Sequence, residues 1–334
     1  MSDSARLGFD ALNAALKAAG EETRLRVLAL LAEAELTVSD LTDILRQSQP
    51  RISRHLKLLA EAGLVERFRE GTWAFFRLAE RGGGSDVARA LLDRLDPADQ
   101  TIARDRARLA SVRQARAAAA QAYFRSHAAE WDRIRKLHVA DEAVEDAIRS
   151  ALAGKPFRSL LDLGTGTGRM LELFGKDIER GLGLDLSLDM LLLARDRLER
   201  AGLRHCSVRQ GDIYDLPLAN DSFDVVIVHQ VLHFLDDGAR AVHEAARVLR
   251  PGGRLLVVDF APHEQEFLRE QYAHRRLGFA AETVTQWMTA SGLDPVMHKS
   301  LSPEAGSEGK IAVSLWLARD ARALMVQPAQ REVA

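Results

Sequence analysis

The first hundred residues are patterned for short helices. Apolar residues recur at helical spacing in Phe9, Leu12 and Leu16, and again in Leu25, Val27, Leu28, Leu30 and Leu31. Side chains three and four positions apart share a helix face, so helices are expected over 9–19 and 22–32. Val38 to Leu45 reads as a third short helix, and Arg46-Gln47-Ser48 as a break. A fourth helix is expected from about Pro50 to Ala62, with Ser48 or Gln49 as cap and Pro50 tolerated in the first turn. Its apolar stripe is Ile52, Leu56, Leu59 and Ala60; its other face carries Arg51, Ser53, Arg54, His55 and Lys57. Gly63 ends it. Two strands follow, 64–69 and 73–78, joined through Glu70-Gly71-Thr72. Two helices about a tight turn and then a hairpin predict a winged helix-turn-helix over residues 1–82.

Arg81-Gly82-Gly83-Gly84-Ser85 reads as a flexible junction. From Val87 to about Arg125 the pattern is helical, with a break at Asp96-Pro97. Leu95, Ile102 and Leu109 recur every seven residues, with Leu91, Leu92 and Val112 alongside. So short a heptad suits a self-associating helix or a helix packed on its own domain equally well. Residues 83–125 are therefore expected to be a helical dimerisation or linker segment.

Beyond residue 126 the pattern changes to alternating strand and helix. Strands are expected at 158–162, 180–185, 205–211, 223–229 and 253–259, with helices over Met190–Leu198 and Ala239–Leu249 between them. Two more strands, near 294–300 and 310–318, suit an antiparallel hairpin at a sheet edge. The fold class is α/β overall: an α+β winged helix-turn-helix followed by a Rossmann-like, seven-stranded domain over 126–320. Residues 321–334 are polar and small and read as a disordered tail.

The strand over 158–162 runs into Asp162-Leu163-Gly164-Thr165-Gly166-Thr167-Gly168 and then a helical pattern from Arg169. Such a turn brings backbone close to a ligand, because glycine lacks a Cβ and tolerates positive φ. The helix start that follows is expected to offer unpaired N–H groups. The spacing is G-x-G-x-G and not the G-x-G-x-x-G that holds a pyrophosphate. Asp162 would repel a pyrophosphate and welcome an ammonium group. Asp185 ends the next strand, where an acid can accept from both ribose hydroxyls. Asp212, after Gly211, is placed to accept from an adenine amino group. Adenosine, ammonium and no phosphate together describe S-adenosylmethionine.

Composition removes several classes. Across 334 residues, 46 basic against 48 acidic side chains give a net charge of −2, so there is no global nucleic-acid signal. Locally, Arg46 to Arg77 holds seven Lys/Arg and three acids. Arginine reaches guanine edges bidentately, and Gln49, Arg51, Ser53, Arg54, His55 and Lys57, with Arg67, Arg69 and Arg77 on the hairpin, are the candidate DNA contacts. A single cysteine, Cys206, excludes a disulfide framework, a cysteine-cluster metal site and thiolate chemistry on arsenite. No apolar signal region or spanning segment is present, so a cytoplasmic protein without membrane contact is expected.

Residues 155–320 resemble class I S-adenosylmethionine-dependent methyltransferases of the ubiquinone and menaquinone C-methyltransferase kind. The resemblance runs through Leu161–Gly168, Gly183-Leu-Asp-Leu-Ser187, Gly211-Asp212, Phe223–His233 and Leu249–Leu256. It implies a site of Asp162, Gly164, Thr165, Gly166, Gly168, Asp185, Leu186, Asp212, Ile213 and His229 for S-adenosylmethionine or S-adenosylhomocysteine. Asp185 would bind the ribose, Asp212 and Ile213 the adenine, and Gly164 and Gly166 the methionine moiety. Tyr123, Phe124 and Trp131 precede the domain, either as a lid over the cofactor or as plain packing against the sheet. His229 and His233 are the candidate catalytic bases, with a packing role as the alternative. Asp259, His263 and His274 match no standard metal spacing, so no metal is expected.

Residues 9–80 resemble the ArsR family of repressors through Thr23–Leu28, Glu35–Leu41 and Ser53–Val65. That family's soft-metal sensors carry cysteines within the segment matching Glu35–Leu41, where this chain has Thr37 and Ser39. No histidine occurs between His55 and His127, so the family's other zinc site is also missing. The two halves together resemble S-adenosylhomocysteine-responsive regulators of the methionine cycle. A homodimeric, operator-binding regulator with a small-molecule effector is expected. The alternative is a working methyltransferase on a small molecule, with the winged helix for self-regulation or dimerisation.

Overall fold

The computed structural model describes residues 6–70, 73–79, 82–127, 141–302 and 311–322. Trp131, the side chains of Tyr123 and Phe124, and the tail from residue 323 lie outside the described residues. Contacts divide the chain into Met1–Ala118 and Ala119–Ala334.

The first unit contains α1 (Phe9–Ala19), α2 (Glu22–Glu33), β1 (Leu36–Thr37), α3 (Val38–Leu45), α4 (Gln49–Glu61), β2 (Val65–Glu70), β3 (Trp73–Leu78), α5 (Gly83–Leu92) and the start of α6 (Gln100–His127). The small sheet has the order β1-β3-β2. β1 is only two residues long and has no period of its own; it exists because Leu36 and Thr37 pair with Phe76 and Phe75. Thr37 then starts α3 in a reciprocal cap. Its N–H donates to Asp40 Oδ2 at 2.9 Å, and Asp40 N–H donates to its Oγ1 at 3.2 Å. So the residue standing where metal sensors carry thiolate is used as a helix cap.

The core of this unit joins Val27, Leu28 and Leu31 of α2, Leu41 and Ile44 of α3, Ile52, Leu56 and Leu59 of α4, and Leu109 of α6. Phe9, Leu12 and Leu16 are exposed (Phe9 83%), and α1 is seated by Ala15 and Ala19 instead. The glycine segment is no loose junction. Gly83 and Ser85 are buried in the first turn of α5, and a Cβ on Gly84 would stand 2.3 Å from the Gly63 carbonyl oxygen. These glycines permit backbone contact. Ile102 and Leu109 of the heptad are buried within their own domain.

Beyond α6, the second unit contains α7 (Asp141–Leu152) and a seven-stranded sheet. Its strands are β4 (Ser159–Leu163), β5 (Arg180–Asp185), β6 (Cys206–Gln210), β7 (Phe223–His229), β8 (Leu249–Phe260), β9 (Leu293–Leu301) and β10 (Val313–Asp320). The order is β6-β5-β4-β7-β8-β10-β9. β10 runs antiparallel to both β8 and β9, and the pairs from β6 to β8 are parallel. α8 (Arg169–Phe174), α9 (Leu188–Arg200), α10 (Gly238–Arg247), α11 (Phe267–Tyr272) and α12 (Ala281–Ala290) complete it.

Strand residues alternate between two cores. Leu160, Val225, Ile227, Leu256 and Val258 enter one; Leu161, Leu163, Val226, Val228, Leu255 and Val257 enter the other. Both faces are covered, which is why these strands read as nearly continuous apolar runs. Chain order reverses between β4 and β7, and in open parallel sheets the ligand crevice lies past the carboxyl ends of strands at that point.

Candidate cofactor crevice and nucleic-acid interface

The glycine turn sits at that switch point, between β4 and α8. Gly164, Gly166 and Gly168 have φ of 69, 51 and 81°, a region that L side chains rarely adopt. Gly164 is also sterically confined, since a Cβ there would lie 2.3 Å from Val231 Cγ2. The turn amides are engaged within the fold. Gly164 and Thr165 N–H both donate to the Leu184 carbonyl, at 2.8 and 2.9 Å, and Gly168 N–H donates to the Thr165 carbonyl at 2.8 Å. Gly166 N–H donates to Asp185 Oδ2 at 2.8 Å. The end of β5 therefore shapes the turn that ends β4.

Asp185 is the hub of this arrangement. Its Oδ1 accepts from Ser187 N–H at 2.8 Å, and Ser187 in turn caps α9 through Met190 N–H. Burial pushes the Asp185 carboxyl above the usual carboxylate range, while N–H donation from Ser187, Gly166 and Leu186 pulls the other way. Gly166 and Ser187 donate to different oxygens, and a carboxylate offers about four acceptor positions, so capacity for a further donor remains. Leu186, next along, is exposed at 38%.

Asp162 is 1% exposed, and its Oδ2 accepts from Thr165 Oγ1 at 2.6 Å, which braces the turn. Asp212 is exposed after β6, with Oδ1 accepting from Tyr214 N–H at 2.9 Å. Ile213 is buried in the core, so only its backbone stays near the crevice. Tyr214, which the sequence did not single out, anchors this loop. Its hydroxyl accepts from Asp237 N–H at 3.0 Å, the Arg240 guanidinium lies over its ring, and burial pushes its pKa up to about 12.

At the ends of β7 and β8 the two candidate bases differ. His229 is half-buried at the last position of β7. His233 is 2% exposed, with Nδ1 2.7 Å from Asp259 Oδ1, and its ring lies 4.2 Å from that of His274 and 4.7 Å from that of Phe260. The His233 carbonyl accepts from Arg275 and Arg276 N–H at 2.8 and 3.0 Å. His274, Arg275 and Arg276 follow α11 in a loop. Burial, with His233 and Arg269 nearby, lowers the pKa of His263 to about 4. Among the described residues no group of three or more His, Cys, Asp or Glu side chains could hold a metal ion.

In the first unit the recognition element is α4, after a turn made by Arg46 in the left-handed region at φ 53°. Gln49, Arg51, Ser53, Arg54 and Lys57 are exposed on it. His55 is not on that face. It is buried against α2, its Nδ1 3.5 Å from Glu21 Oε2. Burial lowers its pKa below the ordinary histidine range. The hairpin arginines also part company. Arg67 and Arg69 are exposed, whereas Arg77 is held by Glu66 at 3.2 Å and Glu35 at 3.6 Å and lies over the Phe68 ring. Strand alternation places Arg77 on the opposite face from Arg67 and Arg69. Sequence spacing alone does not reveal which partner claims each arginine.

A family model described as "Methyltransferase domain" matches residues 161–257, and one described as "Bacterial regulatory protein, arsR family" matches residues 21–67. The demethylmenaquinone methyltransferase of Thermobifida fusca is 31% identical over 165 residues, covering 47% of this chain and 68% of that protein. An uncharacterized 37.1 kDa protein in a transposon of Streptomyces fradiae is 42% identical over 125 residues, covering 34% of this chain. The chain spans 36% and 46% of the length of the first two curated relatives. Among solved structures, the complex of the Haloferax volcanii Trm112 methyltransferase activator with a methyltransferase matches at TM-score 0.51 and 23% identity. That match covers 60% of this chain and 96% of the other, and it shows the fold alone. Among the described residues no helix is long and apolar enough to cross a membrane.

Proposed function

Because this chain belongs to the S-adenosylmethionine-dependent methyltransferases through its second unit and carries an ArsR-family helix-turn-helix in its first, we propose that it is a transcriptional regulator with a ligand-sensing methyltransferase domain. The effector is S-adenosylmethionine or its product S-adenosylhomocysteine. The crevice fits either one. Asp185 retains acceptor capacity for ribose hydroxyls, Asp212 is exposed for an adenine amino group, and Leu186 offers an apolar surface between them. The backbone of Ile213, Gly164, Gly166 and Gly168 would line the rest. When methylated, the ligand supplies an electrophilic methyl group.

The observation that carries the sensor reading is the burial of His233. Its imidazole is tied to Asp259 and its carbonyl to two backbone N–H groups, so this candidate base is engaged in holding the fold. The recognition face of α4, by contrast, is open. DNA would be read by Arg51, Ser53, Arg54 and Lys57, with Gln49 at the helix start and Arg67 and Arg69 on the wing. Two such helices one DNA turn apart read a pseudo-palindrome, so the regulator acts as a homodimer. The exposed stripe of Phe9, Leu12 and Leu16 supplies an apolar face for it. Such a protein works in the cytoplasm.

His229, half-buried at the end of β7, favours the second reading, a working methyltransferase on a small molecule. Proximity and orientation alone suffice for many such transfers. One experiment separates the two. DNA-binding anisotropy on the region upstream of the gene is titrated with each ligand. A sensor shifts DNA affinity about 5–150-fold and distinguishes the two ligands. Tight DNA binding indifferent to both would make the second unit an enzyme first.

A further inference from the structure

α6 is fastened to the helix-turn-helix by polar contacts on the stripe that also buries Ile102 and Leu109. Asp105, buried, accepts from Arg26 of α2 through both oxygens, at 2.7 and 2.8 Å. Arg106 pairs with Glu33 of α2. Arg113 donates to the Glu33 carbonyl at 2.8 Å, and Arg108 donates to the Ile44 carbonyl at 3.1 Å. The last two grips fall on the final turns of α2 and α3, where carbonyls lack helical partners and the dipole favours a cation. Ile44 stands two residues before Arg46, the left-handed residue that turns the chain into the recognition helix.

Burying charges costs desolvation that their attraction barely repays, and an apolar pair of similar size often does as well. What such a pair does supply is register, since bidentate Arg–carboxylate geometry tolerates little displacement. Here register means the position of α6 along its axis against α2 and the α3–α4 turn. The same helix continues without a break past Ala118, where the first unit ends, to His127.

We propose that Asp105, Arg108 and Arg113 are coupling residues: they transmit the ligand state of the second unit to the recognition helix by fixing α6 against the ends of α2 and α3. They touch neither DNA nor cofactor. This rests on the regulator reading, and it names the part of the fold through which regulation passes. Removing the grips would leave both binding sites intact and sever the link between them.

The test uses the full chain in three forms: wild type, Asp105→Asn and Arg108→Gln. Operator affinity is measured with and without saturating S-adenosylhomocysteine, and ligand affinity is measured by calorimetry. Wild type is expected to show a 5–150-fold ligand-dependent ratio. In each variant that ratio should fall towards one, while ligand affinity and unliganded DNA affinity stay within about threefold. Asp105→Asn keeps the shape of the buried carboxylate. If it fails to fold, Arg108→Gln decides, because that side chain is half-exposed and, among the described residues, meets α3's last turn and Asp105. A wild-type ratio that persists in the variants overturns the coupling role and leaves the regulator reading standing. A wild type with no ratio overturns both.

Discussion

Asp185 Oδ2 accepts the backbone N–H of Gly166 at 2.8 Å, so the carboxylate ending β5 holds the glycine turn that follows β4. One residue thus serves as ligand acceptor and as support for the turn. Asp185→Ala is expected to weaken S-adenosylhomocysteine binding by roughly 100-fold or more, the loss of two hydrogen bonds to a charged acceptor. It should also cost about 1–3 kcal/mol of stability, because the Gly166 and Ser187 N–H groups lose their partner. Calorimetry and urea unfolding read the two effects separately. Unchanged ligand affinity would remove Asp185 from the site.

His55 predicts a pH dependence. Burial lowers its pKa, Glu21 opposes this, and Arg24, Arg51 and Arg54 reinforce it. The unfolded chain therefore takes up the proton at higher pH than the folded one. Stability from neutral His55 is full above about pH 6.5 and falls as pH drops towards the lower folded value. Native-state hydrogen exchange of α4 amides at about pH 7.5 and 5.5 should show that loss in wild type and a smaller loss in His55→Gln. Equal losses would mean that another group titrates.

Arg54 and Arg77 are both basic and both near the recognition element, yet their surroundings assign them different work. Arg54 is exposed on α4, so Arg54→Ala should weaken operator binding by about 1–3 kcal/mol if it reads a base. Arg77 is already claimed by Glu66 and Glu35. Arg77→Ala should leave operator affinity nearly unchanged and cost at most about 1 kcal/mol of stability. Salt-dependent binding curves for both variants test the contrast, and equal losses would refute it.

Gly84 tests whether the glycine segment is a linker or a contact. A Cβ there would lie 2.3 Å from the Gly63 carbonyl oxygen, a backbone atom that no rotamer change can move aside. Gly84→Ala should destabilise the first unit by about 1–3 kcal/mol. A flexible linker would accept alanine without cost. Urea unfolding distinguishes the two.

Phe9, Leu12 and Leu16 form an exposed apolar stripe that nothing in the first unit covers among the described residues. If it is the dimer face, Phe9→Ala with Leu12→Ala should raise the dimer dissociation constant at least about tenfold, since burying one such side chain contributes about 1.5–3 kcal/mol. Sedimentation velocity would show it. An unchanged dimer would place the interface elsewhere.

Much of this molecule was legible in advance because its signals are local. The strand ending in Asp162 to Gly168 announces its turn through glycines, which adopt the positive φ values found there with little strain. α3 and β3 were bounded correctly, since each is closed by residues with a strong turn or cap preference. β1 was not, because a two-residue strand is created by its partner and not by its own pattern.

The errors share one cause. His55 and Arg77 were assigned by residue type and helical or strand position, and each meets a residue distant in sequence. Glu21 lies 34 positions before His55, and Asp259 lies 26 after His233. Periodicity says which residues share a face; it does not say what that face meets. The sequence by itself determined a winged helix-turn-helix joined to a seven-stranded α/β domain with acids at successive strand ends, because periodicity, caps and glycine conformations are properties of neighbouring residues. Only the tertiary structure decided which charges are open and which are spent. Desolvation and hydrogen-bond satisfaction depend on every element packed around a group, and no short window of sequence contains them.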